Sequence, residues 1–424
     1  MPSWAESQGS LARARRPRLE AARDSLLGVM TLLAAPDGAR PGSVLAELAF
    51  ASEADVSLDT TRPGGVLRAK THPSDGYGSN VLATHACRID DLAAGAVMPG
   101  LEATGFDRVD ISGFGALQRV LARVRQAGTM TEADAQEIRR CVMGRSVRLS
   151  DGKKLRFLFV APEGIILRKA GPNGIAVDAD EPRTRTSGHG AATAVHGDQD
   201  VRGTPIRQIL RGLGPWIFRH DAPDGSNRWS PVFLLNLWIP LQQITRPLAL
   251  MDERTLDRRR HQLRYALPTE SFLDRSPDRR LNDIWMFLPD PGQRWYFSSE
   301  MDSQRAYVFN TLTVPHGSFI LPGEDIACRL YVRLRDAKDA VSRGDRAALA
   351  EAVGEKLDST AHVATAPLRR AIDAMDALLS EARETEWAAL LVAGEAFRAR
   401  ADAALDRVVR RSIELRAVAL MSSS

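Results

Sequence analysis

The chain has 424 residues, 44% of them hydrophobic and 26% charged, with a formal net charge of +4. This is globular composition with material for a large core or two to three domains, and its acids and bases are interleaved, so no like-charge block argues for nucleic acid. No run of about 18 apolar residues marks a membrane span, the N-terminus lacks a signal peptide's apolar core, and three scattered cysteines, Cys87, Cys141 and Cys328, form no C-x-x-C and read as structural thiols of a reducing cytoplasm.

Residues 1–17 are polar and Arg-rich and read as a loose tail. Ala22, Leu26, Leu27, Met30 and Leu33 recur at helical spacing and predict a helix over residues 19–34. Residues 36–73, punctuated by Gly and Pro, suit loops and brief strands. Strand text follows at residues 87–92 and 105–111. Gly113-Phe114-Gly115 then opens a helix with Leu117, Val120, Leu121 and Val124 on one face. The rest of a dinucleotide fingerprint is missing, so this G-x-G is read as a turn. A second helix is predicted over residues 131–143, and residues 154–160 alternate as a strand does. Residues 170–190 are rich in Gly, Pro, Asp, Arg and Thr and predict an exposed loop, placed where a lid would be.

Chemistry enters at Ala194-Val195-His196-Gly197-Asp198-Gln199. On an extended segment residues i and i+2 point to one face, so His196 and Asp198 aim an imidazole nitrogen and a carboxylate oxygen at one point. His189 lacks such a partner. An H-x-D alone is equally explained by a polar loop histidine beside a capping aspartate, and needs a third ligand. The best candidate is His316 in Val314-Pro315-His316-Gly317-Ser318-Phe319. Two histidines and one carboxylate with the opposite positions open is the arrangement of non-haem Fe(II) oxygenases.

Residues 205–214 predict a short helix, and residues 231–241 and 246–252 the strongest strands of the chain, suited to antiparallel pairing in a sandwich or barrel. The Arg-rich run at 258–264 reads as a solvated face, with substrate or partner binding as the alternative. Residues 294–297, 307–312 and 326–334 read as further strands, the last carrying Arg329 and Arg333 on one face. From about residue 336 to 420, Ala, Leu, Arg and Glu dominate, and apolar positions at helical spacing predict about three amphipathic helices packing on the core or on a second subunit.

An iron oxygenase that consumes 2-oxoglutarate also needs a cation for the far carboxylate. Arginine grips a carboxylate bidentately and stays charged, and a short loop and one strand would return Arg329 beside His316. An ordinary solvent-facing strand arginine is the other reading. Asn236-Leu237-Trp238-Ile239-Pro240-Leu241, Pro247-Leu248-Ala249-Leu250-Met251-Asp252, Trp295-Tyr296-Phe297, Pro315-His316-Gly317-Ser318-Phe319 and the segment 326–333 follow in this order. In this the chain resembles, over about residues 85–335, the cephamycin 7-alpha-methoxylase-related family of non-haem iron, 2-oxoglutarate-dependent oxygenases, which includes fungal meroterpenoid dioxygenases.

The resemblance implies a mixed α+β fold: a double-stranded β-helix (jelly-roll or cupin-like) core with flanking helices, and here a C-terminal all-helical appendage. Together with the composition changes above, which the resemblance does not cover, the chain divides into a tail (1–17), a jelly-roll oxygenase domain (18–335, with an α/β part at 18–190) and a helical extension (336–424). The resemblance implies His196, Asp198 and His316 as ligands of Fe(II), Arg329, with Arg333 in reserve, as the cation for 2-oxoglutarate, and O2 as the oxidant. Asn236, Trp238 and Arg246 are candidate substrate contacts, or structural strand residues. Two departures, Trp238-Ile239-Pro240-Leu241 for the family's Trp-Arg-Pro-Leu and Thr313-Val314 for an Asp-Ser pair, bear on the substrate. A true carboxylate at Asp198 argues against halogenation. The expected activity is oxidation of a C–H bond in a small, secondary-metabolite-like substrate, with a homodimer through the C-terminal helices as the expected assembly. A decayed jelly-roll scaffold and a metal-dependent cupin-type isomerase or hydrolase are the competing classes.

Overall fold

The computed structural model describes residues 42–60, 65–69, 82–95, 99–175, 177, 184–201, 217–243, 245–268, 281–357 and 363–422. The expected tail at 1–17 and the expected helices at 19–34 and 205–214 lie outside the described residues. Val232–Pro240 shows why this chain builds sheets. Its run Val-Phe-Leu-Leu-Asn-Leu-Trp-Ile-Pro is buried on both faces, as a strand covered on two sides must be. Phe233, Leu235, Leu237 and Ile239 join Leu117, Val120, Leu121 and Ile138 of the helices Gly115–Ala127 and Glu132–Val142 in one cluster. Trp238, on the opposite face, packs instead with Leu248, Leu250 and Phe309.

Two sheets result. One has seven strands, with Phe106–Asp110, Arg305–Asn310, Val232–Pro240, Arg410–Ser422, Lys154–Val160 and Ser146–Arg148 in succession, and Ile166–Ala170 also paired to Arg410–Ser422. The other has ten, in the order Ser43–Ala51, Leu82–Asp91, Trp295–Phe297, Leu248–Met251, His316–Ser318, His196–Gly197, Leu281–Phe287, Gln262–Pro268, Val66–Ala69 and Val56–Asp59. The inner faces meet through Trp238, Leu248, Leu250, Tyr307 and Phe309. On the outer face of the ten-stranded sheet, Met251, Trp285, Trp295 and Phe297 close on Leu330, Leu334, Ile372, Met375 and Phe397 of the C-terminal helices. Each such fully buried side chain contributes about 1.5–3 kcal/mol. The architecture is thus mixed α/β, with helices outside both sheets. Among the described residues no helix is long and apolar enough to cross a membrane.

Three expectations are corrected. Residues 326–334 are not a strand but part of the helix Glu324–Arg343. Ile326, Ala327, Leu330, Tyr331, Leu334, Ala337, Ala340 and Val341 are buried along one stripe, which is helical periodicity carried far past the window in which a strand was expected. The C-terminus is not all-helical: after Gly394–Val408 the chain turns into the 13-residue strand Arg410–Ser422 in the middle of the seven-stranded sheet. The Arg-rich run is not wholly solvated either. Arg258 and Arg264 are buried, Arg258 pairing with Asp221 at 2.8 Å, because the run crosses from a short helix into the strand Gln262–Pro268.

Candidate metal centre

His196 and His316 stand opposite each other on neighbouring antiparallel strands, His196–Gly197 and His316–Ser318. Their rings are 4.4 Å apart, centroid to centroid. Gly317 permits the close strand approach here, since a Cβ would sit 3.3 Å from the Ala194 carbonyl oxygen. Asp198 follows as the strand leaves the sheet. Its Oδ1 lies 3.8 Å from His196 Nε2 and its Oδ2 3.9 Å from His316 Nε2. All three residues are buried, and one ligand atom from each falls within 4.8 Å of the others. Separations of this size let one ion be reached by all three side chains.

The tautomers suit a metal. His196 Nδ1 donates to the Ala194 carbonyl at 2.8 Å, and His316 Nδ1 donates to the Val314 carbonyl at 3.0 Å. A carbonyl only accepts, so each ring carries its proton on Nδ1 and turns the Nε2 lone pair toward Asp198. Burial first, and then the nearby His316, push the His196 pKa down to about 4, against the pull of Asp198. The imidazole is therefore neutral near neutral pH, as a ligand must be. Burial opposes the Asp198 charge, but Arg416, His316 and His196 together hold its carboxyl well below the usual carboxylate range.

Asp198 is held from the opposite sheet. Arg416 Nη2 donates to Oδ1 at 2.9 Å and Asn236 Nδ2 to Oδ2 at 3.1 Å. Asn236 and Arg416 are register partners on adjacent strands, so one site on the seven-stranded sheet grips the carboxylate. Asn236 thus meets the candidate ligand, where a substrate contact was one expectation. Trp238 is fully buried and stacks on Tyr307 at 5.6 Å. Phe309 lies 4.6 Å from the His316 ring and Leu250 pairs with His316 in register, giving one side of the cluster an apolar wall. Arg246 is buried and donates from Nε to Ser318 Oγ at 3.2 Å, two residues from His316.

Arg329 is not in this assembly. It lies on the outer side of the helix Glu324–Arg343, its side chain 49% exposed and paired with Asp325 one turn earlier at 3.3 Å. Arg333 donates to the Glu355 carbonyl at 2.7 Å, also at the surface. The helix that replaces the expected strand turns both away from the space between the sheets. Arg416, the missed residue, had a signal: Ile413 and Leu415 alternate with Ser412, Glu414 and Arg416, the period of a half-buried strand.

A family model described as "Oxidoreductase/YMDC permease-like domain" matches residues 168–319, a span that contains the cluster but less than half of the chain. No curated protein matches the chain. Among solved structures, the iron and alpha-ketoglutarate-dependent endoperoxidase NvfI is similar in two determinations. One has a TM-score of 0.44 at 12% identity, covering 91% of this chain and 100% of that one. The other has 0.42 at 12% identity, covering 90% and 99%.

Proposed function

We propose that this protein is a non-haem Fe(II) and 2-oxoglutarate-dependent oxygenase with a double-stranded β-helix core, acting on a small organic substrate. The observation that carries this reading is the buried His196–Asp198–His316 cluster, with both histidine protons committed to backbone carbonyls and one carboxylate completing the set. Two imidazoles and one carboxylate leave room for a co-substrate on the same ion. A ferrous ion so held, with 2-oxoglutarate and O2, supplies oxidation of an unactivated C–H bond, with succinate and CO2 as co-products; hydroxylation is the simplest outcome. The family model named for an oxidoreductase, placed over the same residues, supports the reading.

The chain's own part is to hold and shield. Arg416 and Asn236 fix the Asp198 carboxylate. Trp238, Tyr307, Phe309 and Leu250 pack together between the sheets, Phe309 and Leu250 beside His316, and so exclude water from one side of the cluster. The cation for the oxo acid has to come from between the sheets, because Arg329 faces solvent.

Anaerobic addition of Fe(II) and then 2-oxoglutarate to the metal-free protein should produce a visible charge-transfer band, and admission of O2 should yield succinate. His196→Ala and His316→Ala should each lose the band and reduce succinate formation to background. Succinate formation at the wild-type rate by either variant discards the ligand assignment. Turnover of a substrate without O2 or 2-oxoglutarate would favour the isomerase or hydrolase class instead.

A further inference from the structure

Two arginines between the sheets carry more donor capacity than the described residues around them use. Arg246 and Arg410 are 3% and 2% exposed. Arg246 reaches Ser318 through Nε, but its Nη1 has no hydrogen-bond acceptor among the described residues and stands 3.9 Å from Glu324 Oε2. Arg410 has two such atoms, Nε and Nη2. Ser412, two residues along the same strand and so on the same face, is fully buried with its hydroxyl likewise unpartnered. Gly174, at φ +75°, lets the chain lie against the Arg246 guanidinium, where a Cβ would come within 3.1 Å of Nη1.

Charge counts the same way as hydrogen bonds. The charges bearing on Arg410 are Glu414, Arg246, Arg168 and Glu324. Glu414 is committed to Arg168 at 2.7 Å. Glu324 accepts from the backbone of Leu321 and Asn173 at 2.8 and 2.9 Å. Among the described residues, Glu324 is therefore a carboxylate that Arg246 and Arg410 share in a buried space. A buried charge without a partner is costly, and guanidinium groups match carboxylates better than any other anion the interior offers.

We propose that Arg246 and Arg410, with the Ser318 and Ser412 hydroxyls, form a buried anion pocket that receives a carboxylate of a ligand bound between the sheets. The pocket stands on its own geometry; that the carboxylate belongs to the distal end of the oxo acid or to the substrate rests on the reading above. Either source presents the same group to the same two guanidiniums.

The test uses metal-free protein and sodium glutarate, a dicarboxylate that lacks the chelating oxo group, against sodium chloride at matched ionic strength. Wild type should show a saturable rise in melting temperature with glutarate. Arg410→Met and Arg246→Met should bind glutarate roughly tenfold more weakly or worse, the loss expected for a charge-assisted hydrogen-bond pair. Arg410→Met should also melt at or above the wild-type temperature without glutarate, because an uncompensated buried charge has been replaced by an apolar chain of similar length. A purely structural Arg410 would lower it. Arg410→Lys, which keeps the charge and loses the fork, should fold and bind at intermediate strength. Absence of a glutarate effect in wild type, or unchanged glutarate affinity in both Met variants, overturns the proposal. The charge-transfer titration then separates the sources. Weakened 2-oxoglutarate in Arg410→Met assigns the pocket to the co-substrate; unchanged 2-oxoglutarate, with glutarate still binding beside it in wild type, assigns it to the substrate. Loss of the band in wild type itself would reject the oxygenase reading and leave the pocket standing.

Discussion

Each oxygen of Asp198 is engaged by a donor from the opposite sheet, Arg416 on one and Asn236 on the other, so the carboxylate reaches a metal already oriented. Glu324 shows the opposite economy: buried among Arg246, Arg410 and the Leu321 and Asn173 amides, it is pushed up to about 7, burial outweighing the arginines. Its folded-state pKa lies above the usual 4.5, so the native protein binds this proton more tightly than the unfolded chain. The stabilisation is complete below about pH 4.5 and is lost as pH rises through about 7. Glu324→Gln has no such titration. Denaturant unfolding at pH 5 and pH 8 should therefore show stability shifting toward the variant at the higher pH, by about 2.5 kcal/mol for a shift of this size. His196, held neutral by burial, acts in the other direction below its ordinary pKa, but it is common to both proteins and cancels in the comparison. A pH-independent difference between the two would mean that Glu324 stays ionised throughout.

At the scale of single elements, the helix Glu324–Arg343 decides how Arg329 is read. Leu330 is buried in the outer cluster, while its neighbour Arg329 makes a surface pair with Asp325. Leu330→Ala should cost about 2–5 kcal/mol by leaving a cavity against the ten-stranded sheet. Arg329→Ala should cost under about 1 kcal/mol, the worth of an exposed i,i+4 pair, and leave 2-oxoglutarate affinity unchanged. A large effect of Arg329→Ala on that affinity would return Arg329 to the site. Most strands near the site and the helices Gly115–Ala127 and Glu132–Val142 were legible in the chain text, since Val232–Pro240 is a continuous apolar run of strand length and Gly115–Ala127 carries a period of 3.6. So was the His196–Asp198 pair, because i,i+2 geometry is local, whereas His316 was reached through the Pro315-to-Phe319 segment and the family resemblance. The cation was not. A nine-residue window around Arg329 satisfies either period, and only the buried stripe continuing to Val341 separates them.

Taken as a whole, the molecule completes its site with its last strand. Arg410–Ser422 pairs with Val232–Pro240 along that strand's whole length and, on its other side, with Lys154–Val160 and Ile166–Ala170. It places Arg416 against Asp198, 218 residues earlier in the chain, and brings Arg410 into the space near Arg246. Such pairings close long loops, whose entropic cost falls due before the strand's hydrogen bonds form, so the seven-stranded sheet remains split until the C-terminus arrives. A chain stopped after Val409 should lack a cooperative melt and bind Fe(II) no better than an unfolded control, as read by near-UV circular dichroism and anaerobic metal titration. Arg416→Met in the full chain separates the strand's two tasks: it keeps the pairing, so the cooperative melt should survive, while metal affinity falls about 10–100-fold, as when a group orienting a ligand is removed. A truncated chain with native near-UV signal and wild-type affinity would show that the site closes without this strand. An Arg416→Met protein with unchanged affinity would mean that Asn236 alone suffices to hold Asp198.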